Sequence, residues 1–139
     1  VAETAWTKGP WTLETVRTSS GLCHKIGPFP WKPDRENHAC IYVDYPSRDG
    51  AAARDQELLA NARLIAAAPA MAEALEAHQE WADKENAGPQ YPPGMSRDAP
   101  GGEEIWRAWW NEQLDLCDRA SKLTRTALAL ARGQEQEKK

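Results

Sequence analysis

The sequence predicts an α+β protein: a small antiparallel β meander of three or four strands, then a Pro-kinked helix pair, then one long C-terminal helix. Three observations carry that expectation. Residues 11–45 mix β-branched and aromatic side chains with polar ones and are cut by turn signals. Residues 58–75 set apolar side chains at helical spacing around one proline, Pro69. Residues 106–130 repeat mostly apolar positions in steps of three and four.

The first 50 residues form the meander. Gly9-Pro10-Trp11 is a turn that feeds a half-buried strand, Trp11 to Arg17. Thr18-Ser19-Ser20-Gly21 reads as a hairpin connection into a second strand, Leu22 to Ile26. Its two-residue period puts Leu22, His24 and Ile26 on one face. The run Gly27 to Pro33 holds three prolines, which lack ladder donors, so a stiff loop is expected there rather than a central strand. Asp34 to Asn37 continue that loop. Ala39 to Tyr45 is the third strand, and Pro46 ends it.

The kinked helices occupy 51–87. Ala, Leu, Arg and Glu are strong helix formers, and Leu58, Ala62, Ile65, Ala68, Ala72 and Leu75 make one apolar stripe. Pro69 has no N–H and clashes with the carbonyl four residues back, so the helix is expected to break and restart there. Asn86-Ala87-Gly88 supplies stop chemistry. A loop over 88–102 follows, long enough without structure to suggest a functional or mobile segment.

The long helix, 103–133, carries the seam Trp106, Trp109, Gln113, Leu116, Ala120, Leu123, Ala127 and Leu130. Glu103 and Glu104 near its start, and Lys122, Arg125 and Arg132 toward its end, suit the helix dipole. Gly133 terminates it, and 134–139 is expected to fray. The seam exceeds what the shorter helices can cover. Part of it is therefore expected to pair with a second copy, giving a homodimer through the C-terminal helix.

At 139 residues the chain is expected to be a single domain with a core that needs no metal or disulfide. Its net charge of −4 argues against general nucleic-acid binding, which needs a basic footprint. No apolar run approaches the roughly 20 residues of a membrane span, and Val1 to Trp11 lacks the layout of a signal peptide. Three widely spaced cysteines suggest free thiols in a reducing compartment.

The stretch Ala60-Asn61-Ala62-Arg63-Leu64-Ile65-Ala66-Ala67-Ala68-Pro69 resembles a motif of small accessory proteins from tailed phages and prophages. The likeness extends to Gly9-Pro10-Trp11 and to Thr126-Ala127-Leu128-Ala129-Leu130-Ala131-Arg132-Gly133, which looks like the family's Ala-rich ending. The chain departs from the family at Ala70-Met71-Ala72, where larger residues are usual. Met71 keeps the apolar position. The resemblance implies a phage or prophage origin and a protein acting in the host cell cytoplasm. It implies no particular biochemistry, because most members have no assigned activity.

Among candidate chemistries, Cys23, His24, His38 and Cys40 have the donor types of a tetrahedral zinc site. Adjacent strand residues point to opposite faces, however, so Cys23 and His24 cannot share one ion without a bulge. The expectation is buried cysteines, a surface histidine, no metal and no cofactor. A Cys40 or Cys117 nucleophile lacks a recognisable base or oxyanion hole, so no catalytic residue is expected. His78 is expected on the surface of its helix.

Tryptophan is the unusual ingredient, with seven in the chain. Trp106 and Trp109 lie on the seam and are expected in the core. Trp31, Trp81 and Trp110 are expected to be partly exposed. With Tyr42, Tyr91, Arg97 and Arg107 they have the composition of a protein-docking patch, and equally of a platform where a nucleotide base stacks. The leading expectation is a non-enzymatic phage protein that binds and inhibits a host protein, above all an antiviral defence complex, in the manner of anti-CRISPR inhibitors. The alternative is a sponge that sequesters a cyclic or modified nucleotide signal.

Overall fold

A computed structural model describes residues 6–19, 21–32, 35–42 and 51–134, with backbone alone at 30–32, 35 and 51–53. The chain runs β1 (Thr12–Thr18), β2 (Gly21–Lys32), β3 (Arg35–Tyr42), α1 (Ala51–Ala66), α2 (Ala68–Ala87) and α3 (Gly102–Ala131). The predicted α+β class and element order are observed. The chain divides into two compact units: Val1–Met71 with Thr126–Lys139, and Ala72–Arg125.

In the first unit the strands form one antiparallel sheet in the order β1-β2-β3. On the inner face of β2, His24 and Ile26 are buried, two residues apart as the strand period requires. Helix α1 packs against all three strands, and its buried positions Leu58 and Ala62 lie four residues apart. His24 Nδ1 and Thr15 Oγ1, cross-strand partners in the register, are hydrogen-bonded at 2.8 Å. This tie holds β1 to β2 under the helix.

The prolines behave differently from the expectation. β2 continues as a strand through Gly27, Pro28, Phe29 and Pro30 to Lys32, where a loop was predicted. The reason lies in the register. β1 reaches only as far as Thr12 opposite Gly27, so beyond that point, among the described residues, β2 has β3 alone beside it. Its free side needs no donors there, and the register shifts between Ile26 and Phe29 and between Pro30 and Lys32 absorb the rest. β3 accordingly starts at Arg35, earlier than predicted. Val43 to Gly50, with the predicted strand end at Pro46 and the following turn, lie outside the described residues, as does the tail from 135. Among the described residues there are three strands.

The apolar stripe predicted across both helical arms also needs correction. Leu58 and Ala62 are buried, but Ile65 is 42% exposed and Leu75 is 69% exposed. The buried positions after the break are Ala67, Ala74 and Ala77. The helix is interrupted at Ala67, between the end of α1 at Ala66 and the start of α2 at Ala68, and that break resets the phase of the period. Among the described residues no single helix is long and apolar enough to cross a membrane.

In the second unit α2 and α3 run antiparallel. Glu80 pairs with Arg119 at 2.9 Å, and Lys84 pairs with Glu112 at 3.4 Å. His78, predicted on the surface, is half-buried and meets Thr124 Oγ1 at 2.9 Å. The Thr124 hydroxyl donates its hydrogen to Ala120 O at 2.8 Å, so the histidine must donate from Nε2. Helix α2 ends at Gly88, whose φ is +67°. Helix α3 ends in a Schellman pair, with Gln134 N–H donating to Ala129 O and Gly133 N–H to Leu130 O. Along α3 the inward line is Gln113, Ala120 and Ala127, spaced by sevens on the predicted seam.

Candidate functional site

The side chains with binding chemistry gather in the second unit, where the 88–101 loop enters α3. Residues four apart on a helix lie one above the other, so Trp106 and Trp110 share a stripe. Their rings stack with centroids 5.6 Å apart and planes only 7° from parallel. Trp109 lies against both at tilted angles, and its indole N–H donates to Lys84 O at 3.4 Å. Instead of disappearing into the core as predicted, Trp106 and Trp109 are half-buried. Trp110 is 44% exposed.

Arg97 comes from the loop and caps the stack. Its guanidinium carbon sits 3.7 Å from the centre of the Trp106 ring, a cation–π contact. Arg97 Nε also donates to Glu103 Oε2 at 2.8 Å, and a second guanidinium nitrogen reaches Oε1 at 3.4 Å. Arg107, one turn on from Glu103, approaches the same carboxylate at 3.7 Å. The result is a layered arrangement of Arg97, Trp106 and Trp110, with Glu103 holding both arginines.

Each ion in this group favours the charged form of the other. The hydrogen bond from Arg97 is the main influence holding the Glu103 carboxyl below its usual range, assisted by the positive charges of Arg97 and Arg107. The same bond raises Arg97 further, and Tyr91 and Asp98 add to the effect. Groups pushed toward full ionisation are poor proton carriers near neutral pH, so Arg97 and Glu103 are ill suited to proton transfer there. A depressed carboxylate contributes stability that is present above its ordinary pKa and lost as pH falls through the lower folded value. Acidification below the usual glutamate range is therefore expected to release Arg97 from Glu103 and change the fluorescence of the tryptophan cluster. In Glu103→Gln that acid transition should vanish.

Gly102 fixes how the loop meets the helix. A Cβ at this position would strike Ser96 O and come within 2.5 Å of Arg97 O, both rigid backbone atoms. Gly102→Ala is expected to push the Arg97 segment away, costing about 1 kcal/mol. Loss of the acid fluorescence transition, with helix content retained in circular dichroism, would register the change.

The predicted site residues divide. Arg97, Arg107 and Trp110 come together, and Tyr91 lies near enough to act on Arg97 electrostatically. Trp81 instead contacts His78, with ring centroids 6.0 Å apart. The Trp31 side chain lies outside the described residues. Two members escaped the sequence reading: Trp106, assigned to the core, and Glu103, assigned only to the helix dipole. The four-residue step from Glu103 to Arg107 was the available signal for the second.

On the sheet, Cys23 and Cys40 are not buried as expected. Cys23 is half-buried and Cys40 exposed. The register sets them diagonally across β2 and β3, and burial together with the nearby Cys40 thiol raises the Cys23 pKa. His24 is buried and His38 exposed. Among the described residues no three His, Cys, Asp or Glu side chains gather as a metal site would require.

Residues 2–135 match the family described as Salmonella phage P22 protein Y8K6. The chain belongs to that family. No curated protein and no solved structure matches it. The phage origin implied by the Ala60–Pro69 stretch is thus met at the level of the family, while the motif itself is not singled out by the match.

Proposed function

We propose that this phage protein works by binding rather than by catalysis, and that Arg97, Trp106 and Arg107 grip a host protein. An antiviral defence complex is the target class we favour, with the host cytoplasm as the place of action. The observation behind this reading is the pinned guanidinium of Arg97, held by Glu103 and laid on Trp106. Tryptophan and arginine dominate the energetics of protein interfaces. An arginine already fixed in place loses little side-chain freedom on docking.

The nucleotide-sponge reading draws on the parallel tryptophans, against which a base can stack. Glu103 weighs against it. A phosphate placed on Arg97 or Arg107 meets the carboxylate that already neutralises them. At about 4 Å, such repulsion is worth on the order of 1 kcal/mol in water and more near a protein surface.

The test is phage plating on hosts that carry different defence systems. Expression of the protein is expected to restore plating against at least one system. Arg97→Ala and Trp106→Ala, checked for retained helix content, should reduce that restoration. Plating unchanged by the wild-type protein across diverse systems would refute the inhibitor. A rise in melting temperature with cyclic nucleotides would favour the sponge.

A further inference from the structure

α3 carries a second line of positions, each one residue beyond the inner seam and so rotated about 100° around the axis. It comprises Trp110, Leu114, Cys117, Ser121, Thr124 and Leu128, in steps of four, three, four, three and four. Its large apolar members face solvent: Trp110 is 44% exposed, Leu114 52% and Leu128 43%. We propose that this line pairs antiparallel with the same line on a second copy of this chain.

Two features of α3 select that occupant. The line is its own mirror about position 119. Reversal places Trp110 opposite Leu128 and Cys117 opposite Ser121, while Leu114 falls beside Thr124 at the edge of the line, where the Thr124 hydroxyl turns back to His78 of α2. The large side chains then flank a centre of small ones, where two backbones can approach closely.

The second feature is charge. Several ions of α3 are satisfied within the chain: Glu103 with Arg97 and Arg107, Glu112 with Lys84, Asp118 with Lys122, and Arg119 with Glu80. Among the described residues, the charges of this helix and its cap left without such a pair are Glu104 and Asp115 in the first half, and Arg125 and Arg132 toward the end. Reversal about 119 brings Glu104 within two residues of Arg132 of the second copy, and Asp115 within two of Arg125. A parallel pair would instead set like charges side by side. From Glu104 to Arg132 the matched surface spans about 42 Å.

The pairing does not depend on the proposed target. Trp110 is stacked on Trp106 within α3, whereas Arg97 reaches Trp106 from the loop, and Leu114 and Asp115 take part in neither contact, so the dimer and the docking surface can fail separately.

Sedimentation equilibrium at micromolar concentration tests the proposal. The wild-type mass is expected to be twice the 15.5 kDa of one chain. Leu114→Glu should raise the dissociation constant by about tenfold or more. Asp115→Arg should also weaken the dimer, and Asp115→Arg combined with Arg125→Asp should restore it, which a merely misfolded variant would not do. Orientation is read by cross-linking. In a Cys23→Ser/Cys40→Ser background, Ser121→Cys with a thiol oxidant should yield a covalent dimer joined between positions 117 and 121. A mass of one chain for the wild type, or a cross-link joining position 117 to itself alone, would overturn the proposal.

Discussion

Ile26→Ala is expected to cost about 2–5 kcal/mol, the range for removing a large aliphatic side chain from a close-packed core. Ile26 is fully buried at the centre of β2, on the face that α1 covers. The same inner surface holds Ala62, which is fully buried, His24, which is 1% exposed, and the large aliphatic chain of Leu58 on α1, which is 5% exposed. Leu58 is itself close-packed and can relax into only part of the space, so a cavity term remains in the cost. Small domains have only about 5–15 kcal/mol of stability in all. With a urea slope of about 1–3 kcal/mol/M, the unfolding midpoint of the sheet unit should fall by a molar or more. Ile65→Ala is the matched control. Ile65 lies on the apolar stripe predicted from sequence, yet it is 42% exposed, so its loss should stay within about 0.5 kcal/mol. Equal effects at the two positions would mean that α1 sits on the sheet in another rotation.

That control marks where the sequence was legible and where it was not. Helix α3 could be read nearly to its ends, because thirty residues of sustained period and a Gly133 stop leave little freedom. Its inward positions Gln113, Ala120 and Ala127 lay on the expected seam. The α1–α2 arms were legible as helices, but their shared face was not. A period can be followed only through an unbroken helix, and Pro69 breaks it. The proline run of β2 misled for a related reason. Proline excludes a strand only where a neighbour needs its hydrogen, and the end of β1 opposite Gly27 is a tertiary fact that local composition does not contain.

The candidate site was half legible on the same grounds. Arg107 and Trp110 follow from helix geometry. Arg97 was picked for its residue type alone. That it lies on Trp106 depends on how the 88–101 loop turns back at Gly102, where only hydrogen fits beside the Ser96 and Arg97 carbonyls. Glu103 was misread because a carboxylate in a first turn already has a sufficient local explanation. Local sufficiency hid its role as the link between two arginines.

Gln113→Met is expected to stabilise the second unit, by about 1–3 kcal/mol. Gln113 is only 5% exposed, and among the described residues neither its amide nitrogen nor its amide oxygen has a hydrogen-bond partner. An amide in that position carries the cost of leaving water without an exchange of bonds to offset it. Methionine has nearly the same length and no branch, so it can occupy the same space without forcing the helices apart. The surrounding line favours the exchange, since Ala120 and Ala127 already make the inner face of α3 apolar. A lone polar residue at such a position can also set the register of paired helices. The two effects separate in one experiment. If the amide serves register, Gln113→Met should raise the melting temperature while loosening the match of α2 to α3, seen as broadened or doubled NMR signals for the Trp109 indole. If it serves nothing, the melting temperature rises and that signal stays single. A fall in melting temperature with a single indole signal would show that the amide makes bonds worth more than its desolvation, and would defeat the argument that it lies there unpaired.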